Sequence, residues 1–354
     1  MADAHAARSR LALPLSVRLR LFLLEAAVDT TQRRDGTINR TLFSLYDRKA
    51  PADPRPDGSG VSSTDVTVNA SRGLWARVFT PSVVESSPSP SPSPRPVIVY
   101  FHGGGFTVFS AASLPYDALC RTLCSGVGAV VVSVNYRLAP EHRFPAAYDD
   151  GEAVLRYLGT TALPDHAGPV DLSTCFLAGD SAGANIVHHL AQRWTTATAT
   201  SSPPPSHTPV HLAGIVLLEP YFGGEERTEA ERTLEGVAPV VNIRRSDHWW
   251  KAFLPDGADR NHPATHVTGD AGQEPELPDA FPPAMVVIGG LDPLQDWDRR
   301  YAAMLRRKGK PVTVVEFPEA IHAFYFFPGL AVSGKLVDEI KVFVESIKAK
   351  QSSD

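Results

Sequence analysis

Cysteine is scarce in this chain, with Cys120, Cys124 and Cys175 the only three in 354 residues. An odd number without metal-ligand spacing excludes a disulfide framework and a zinc module. Cys120 and Cys124 share one face of an expected helix and Cys175 opens an expected strand, so all three read as small core residues in a reducing compartment. Excess charge is lacking as well: 34 Lys and Arg against 39 Asp and Glu leave a net −5. That balance gives no reason to expect nucleic acid or an anionic membrane as partner. No span reaches about 18 apolar residues, which excludes a transmembrane helix and integral membrane association. Leu11 to Val28 is leucine-rich, but Arg18, Arg20 and Glu25 interrupt it and no small-residue cleavage site follows. Leu15, Leu19, Phe22, Leu23 and Ala26 fall near a helical period, so an amphipathic helix laid on the protein is expected there. A transit peptide is the lesser alternative, and the cytoplasm is the expected location. The sequence sets no oligomeric state.

What is present is a chain with enough apolar residues, 43%, to bury a large core. Apolar runs at Val97–Phe101, Ala129–Val134, Cys175–Ala178, Leu212–Leu218, Ala284–Ile288 and Val312–Phe317 alternate with helix-like stretches at Asp149–Leu158, Arg299–Lys308 and Lys335–Lys348. Continuous apolar strands suit a parallel sheet covered on both faces, and an expected strand pair, Thr64–Ala70 and Leu74–Thr80, leads it. The fold class expected is therefore α/β, a mostly parallel central sheet with helices on both faces. Ser86 to Pro96 and Thr195 to Pro209 are Ser/Pro- and Thr/Ala/Ser/Pro-rich and read as surface loops. Tyr221 to about Asp279 breaks the alternation and has the position of a helical lid. Residues 1–60 form an expected N-terminal lid segment, and 61–354 the main domain with a lid insertion at about 221–279.

The chemistry is written in the strand ends. Gly179-Asp180-Ser181-Ala182-Gly183 follows the apolar run ending at Ala178 and leads into the helix-like Asn185–Leu190. A strand–serine–helix turn of that kind pushes one hydroxyl out of the fold, and the flanking glycines leave room for it. Seventy-nine residues before Ser181, the strand Val97–Phe101 ends in His102-Gly103-Gly104-Gly105. Serine-based acyl transfer needs backbone N–H donors aimed at the developing oxyanion, and glycines let the main chain approach that closely. In this architecture the order is serine, acid, histidine. The next strand ending in a carboxylate gives Asp292; Asp296 and Asp298 are rivals, but they read as first-turn acids of the following helix. One helix and one strand later, 30 residues beyond Asp292, lies His322. Ser181 would attack, His322 would carry the proton, and Asp292 would fix the imidazole tautomer.

The other histidines have plainer readings. His188 and His189 lie on the helix after the serine, where one would face the sheet. His262 and His266 stand i, i+4 in a polar loop, but they lack the Glu of an H-E-x-x-H frame and a third ligand, so no metal is expected. His102 is expected to brace the glycine loop. Trp249, Trp250 and Phe253 could line a pocket, although a core role for at least two of them is the simpler expectation.

These elements, with Tyr136-Arg137-Leu138-Ala139-Pro140-Glu141 and Asp292-Pro293-Leu294-Gln295-Asp296, resemble the hormone-sensitive-lipase-type α/β-hydrolases. Arg33-Arg34-Asp35-Gly36-Thr37-Ile38-Asn39-Arg40 and Asp47-Arg48-Lys49-Ala50 narrow the resemblance to plant carboxylesterases and the gibberellin receptor. The resemblance implies the α/β-hydrolase fold and a triad of Ser181, Asp292 and His322. It also implies an oxyanion hole from Gly104, Gly105 and Ala182, with Gly103 and His102 adjoining, a small-molecule or short-chain ester as substrate, and no cofactor. It supplies two rivals. In the receptors an aliphatic residue replaces the histidine and a serine takes the third glycine position, whereas this chain has His322 and Gly105. A hydroxyisoflavanone-dehydratase-like lyase would use much the same pocket. One departure is Ala184, where many members carry another glycine.

Overall fold

The computed structural model describes residues 13–33, 35–82, 94–200, 210–270 and 274–351. Most of the two low-complexity stretches, and Arg34 of the N-terminal motif, lie outside the described residues. In chain order the elements are α1 (Leu15–Thr31), α2 (Arg40–Tyr46), β1 (Val61–Asn69), β2 (Leu74–Pro81), β3 (Arg95–Phe101), α3 (Leu114–Val127), β4 (Val130–Asn135) and α4 (Ala146–Thr160). There follow β5 (Val170–Asp180), α5 (Ala182–Thr200), β6 (Leu212–Leu218), α6 (Glu229–Thr233), α7 (Ile243–Phe253), β7 (Ala284–Gly289), α8 (Gln295–Arg307), β8 (Val312–Phe317) and α9 (Ala331–Gln351).

The eight strands form one sheet in the order β1-β2-β4-β3-β5-β6-β7-β8. β2 pairs antiparallel with both its neighbours and every other pairing is parallel. The cause is in the side chains. β3 sends Val97, Val99 and Phe101 into one apolar layer and Ile98 and Tyr100 into the other. With both faces buried, a strand can be apolar at every position, and β6 is buried throughout. α4, α5 and α8 cover the first face, through residues such as Leu155, Leu190 and Tyr301, while α3 and α9 cover the second through Leu119, Leu123, Leu336 and Ile340. The three cysteines are free and buried, as their apolar surroundings suggest.

The N-terminal helix forms, but not with the expected face inward. Leu15, Leu19, Phe22 and Leu23 are exposed, and α1 packs through Val17, Leu21, Val28 and Thr31 instead. Apolar residues sit on both sides of this helix, so its period leaves the buried face undetermined; polar anchors settle it. Arg245 of α7, 5% exposed, pairs with Glu25 at 2.7 Å and Asp29 at 2.8 Å, both on α1. Glu25 also accepts the Val240 N–H at 3.1 Å. Arg40 donates to the carbonyls of Thr107 and Ala139 and pairs with Glu141. The segment between β6 and β7 carries α6 and α7, and α6 opens on a capping box made by Thr228 and Glu231.

The tightest packing lies where α5 leaves β5. A Cβ on Gly183 would sit 1.9 Å from the Phe101 carbonyl oxygen, at the end of β3. Gly183→Ala is therefore expected to cost about 3 kcal/mol of stability by overpacking a backbone-to-backbone contact. Urea unfolding measures it, and an unchanged midpoint would contradict this packing.

Candidate active site

Ser181 sits between β5 and α5 with φ of 51°, a left-handed conformation that non-glycine residues rarely adopt. The surrounding hydrogen bonds hold it there: its N–H donates to Leu218 O at 2.9 Å, and its carbonyl accepts from Tyr221 N at 3.0 Å. The strain turns the side chain away from the strand line, which is what an elbow nucleophile requires.

The glycine loop after β3 faces this elbow. Gly104 and Gly105 have φ of 98° and 58°, a left-handed region that favours glycine, and a Cβ on Gly105 would meet the Trp249 ring at 2.5 Å. The Gly103 N–H is committed to structure, at 2.8 Å from the Tyr116 hydroxyl and 2.9 Å from Asp180 Oδ1. The N–H groups of Gly104, Gly105 and Ala182 donate to no group among the described residues. His102 lies under the loop, its Nδ1 2.9 Å from Gly103 O and its ring stacked on Tyr136 at 4.3 Å. Burial lowers its pKa to about 3, so it is a neutral brace.

Asp180 was not assigned a role from the sequence, yet it joins the parts. Its carboxylate, 2% exposed, accepts from Tyr100 at 2.8 Å, Gly103 N at 2.9 Å, Tyr116 at 3.0 Å and Tyr325 at 3.2 Å. Burial raises its pKa to about 6, with the tyrosine hydrogen bonds opposing.

Asp292 and His322 meet at the ends of β7 and β8. His322 Nδ1 lies 2.7 Å from Asp292 Oδ2, and Asp292 Oδ1 accepts the Leu294 N–H at 3.0 Å. Both rivals are placed elsewhere: Asp296 caps α6 through the Ala230 N–H at 2.8 Å, and Asp298 is buried in the first turn of α8. Burial works against charge on the His322 ring, but Asp292, then Glu219 and Asp180, outweigh it and raise the pKa to about 9. Among the described residues the Ser181 hydroxyl makes no hydrogen bond to this ring, a contact that in serine enzymes commonly tightens only with substrate bound.

Glu219 is the other residue that sequence reasoning passed over. It follows β6 with φ of 46°, and its Oε2 lies 3.7 Å from His322 Nδ1. Glu219, Asp292 and His322 form the single grouping among the described residues whose ligand atoms lie close enough to share a cation. Within it His322 Nδ1 bonds Asp292 Oδ2, and the Ala323 N–H donates to Glu219 Oε2 at 2.7 Å.

The other histidines singled out in the sequence have structural contacts. His188 bonds the Tyr301 hydroxyl at 2.9 Å, and His189 stacks on Tyr148 at 4.8 Å. His262 accepts the Ala264 N–H at 3.1 Å, and His266 meets Trp297 edge-on. Trp250 stacks on Tyr221 at 4.2 Å and Phe253 on Phe106 at 3.6 Å, both as core, while Trp249 covers Gly105.

A serine elbow, a glycine loop and an acid–histidine pair at the ends of a mostly parallel sheet define a hydrolase-type scaffold. The chain belongs to the α/β-hydrolase family, in the hormone-sensitive-lipase-type branch that holds plant carboxylesterases and gibberellin receptors. The model of the alpha/beta hydrolase fold matches residues 98–326. Gibberellin receptor GID1C of Arabidopsis thaliana is 39% identical over 97% of this chain and 98% of its own length. Carboxylesterase 20 of the same plant is 35% identical over 82% and 86%. Among solved structures, a hyperthermophilic esterase from the archaeon Pyrobaculum calidifontis superposes with a TM-score of 0.69 at 26% identity, covering 95% of this chain and 99% of its own. No helix among the described residues is long and apolar enough to cross a membrane.

Removing the Asp292 charge should lower the proton affinity of His322, because burial then opposes the imidazolium with less to offset it. In Asp292→Asn the ring's titration, followed by NMR, is expected to fall from about 9 toward neutrality. A midpoint that stays put would remove Asp292 from the pair.

Proposed function

We propose that this protein is a serine carboxylesterase acting on small-molecule or short-chain esters. The observation that carries the reading is the buried 2.7 Å contact between His322 Nδ1 and Asp292 Oδ2, at the sheet edge that also presents the strained Ser181. A histidine bonded to a carboxylate at Nδ1 keeps Nε2 as its basic position. Ser181 Oγ would attack the ester carbonyl carbon as its proton passes to His322 Nε2. The N–H groups of Gly104, Gly105 and Ala182 would hold the oxyanion. Collapse would break the ester C–O bond, with the imidazolium proton leaving on the alcohol. Water, deprotonated by the same nitrogen, would then attack the acyl-serine carbonyl, and the carboxylic acid would depart as the Ser181 hydroxyl is restored. The N-terminal segment, fixed to α7 through Arg245 and to the glycine loop through Arg40, would roof the site as a lid over the substrate.

The receptor relatives favour a second reading, hormone-like small-molecule binding in the same space. Two features weigh against it: His322 is present, and a side chain on Gly105 would collide with Trp249 at 2.5 Å. A binder needs neither a base nor an open third glycine.

Turnover decides between them. Wild type should hydrolyse p-nitrophenyl acetate or butyrate, and Ser181→Ala or His322→Ala should each lose on the order of 10⁴-fold or more in kcat, since triad members act as a unit. Because the base must be neutral and its pKa is raised to about 9, kcat/KM should climb between pH 6 and pH 9. Full activity in Ser181→Ala would end the proposal, and tight gibberellin binding without turnover in wild type would establish the second reading.

A further inference from the structure

Glu219 has a carboxyl group that the mechanism above leaves unused. It is fully buried, and one oxygen, Oε1, has no hydrogen-bond partner among the described residues. The other, Oε2, accepts the Ala323 N–H at 2.7 Å and stands 3.7 Å from His322 Nδ1, on the same ring nitrogen that Asp292 contacts at 2.7 Å. The two carboxyls come from adjacent strand ends, since β6 pairs with β7. The backbone at Glu219 is held in a left-handed conformation, its N–H donating to Val287 O of β7 at 2.9 Å. Ala323 is itself left-handed, with φ of 65°, so the chain turns sharply just after the base. Strained backbone at two facing positions, one hydrogen-bonded to the other, marks a geometry that the surrounding structure has to hold in place.

We infer that Glu219 is a positioning residue for His322, fixing the turn that carries the ring through the Ala323 N–H and acting as a second acid beside Nδ1. This rests on the esterase reading for its catalytic meaning, though the coupling of the two side chains does not. The charged and titratable groups facing Glu219 are Asp292 after β7, Asp298 on α8, His322 and Tyr325 after β8, and Asp180 at the end of β5. Burial and Asp292 push the Glu219 carboxyl well above the ordinary range, and His322 pulls the other way. Protonation of the ring thus favours ionised Glu219, and ionised Glu219 favours the protonated ring.

Two variants separate the two parts of the role. Glu219→Gln keeps an oxygen for the Ala323 N–H but removes the charge; the His322 titration by NMR, and the acid limb of kcat/KM, should both move down by about one pH unit. Glu219→Leu also removes the acceptor; kcat should fall by about tenfold or more with KM within about threefold, and Gln should recover most of that loss. A His322 midpoint in Glu219→Gln equal to that of wild type overturns the electrostatic half, and wild-type kcat in Glu219→Leu overturns the positioning half. The NMR titration needs no turnover. A wild type without esterase activity whose His322 midpoint still falls in Glu219→Gln would sink the esterase reading and uphold the coupling.

Discussion

The carboxylate of Asp180 is the knot on which this site depends. It stands one residue before the serine and is bonded to the glycine loop through Gly103 N, to α3 through Tyr116, and to the segment after His322 through Tyr325. Three chain segments far apart in sequence are therefore referenced to one pair of buried oxygens. A carboxylate taken from water must recover its hydrogen bonds inside the protein, and four donors from three segments meet that need. Loss of any one segment from its place would leave buried charge under-satisfied. The elbow, the loop and the histidine consequently hold their relative positions as a unit.

Burial alone does not decide protonation here. His102, His188 and His322 are all buried, yet the first two are lowered to about 3 and the third is raised to about 9. The difference is their neighbours. His102 and His188 bond only a carbonyl and a tyrosine hydroxyl, which do not offset the cost of burial, whereas His322 faces the carboxylates of Asp292 and Glu219. The fold makes that possible because parallel strands end on one edge. The groups following β5, β6, β7 and β8 converge there without any being neighbours in sequence.

The sequence exposed the parts of this arrangement that have local signatures. The inner strands are apolar runs because the sheet is covered on both faces there, and β3, β6, β7 and the edge strand β8 lie where the runs lie. Ser181 and the glycine loop were legible because strained turns demand glycine at fixed offsets. Asp292 could be preferred to Asp296 and Asp298 because strand-end acids and first-turn acids differ in pattern, and the latter two do begin α8. The buried face of α1 was illegible for the opposite reason. Leucines on both sides give no single stripe, and the deciding contacts, from Glu25 and Asp29 to Arg245, span more than 200 residues of chain. Asp180 and Glu219 were also missed. Asp180 stood in view inside the serine motif, but its partners Tyr100, Tyr116 and Tyr325 are distant in sequence. Glu219 ends an apolar run just before a proline, and a lone acid in that place signals an exposed loop more readily than a buried neighbour of His322.

The central claim is that Ser181 is held as a nucleophile by the His322–Asp292 pair. Labelling with a fluorophosphonate, followed by mass mapping of the modified peptide, tests this most directly. The account predicts one adduct, on Ser181, formed at a rate that rises with pH as His322 loses its proton and lost in His322→Ala. Unmodified protein after prolonged exposure, or an adduct on a different residue, would contradict it.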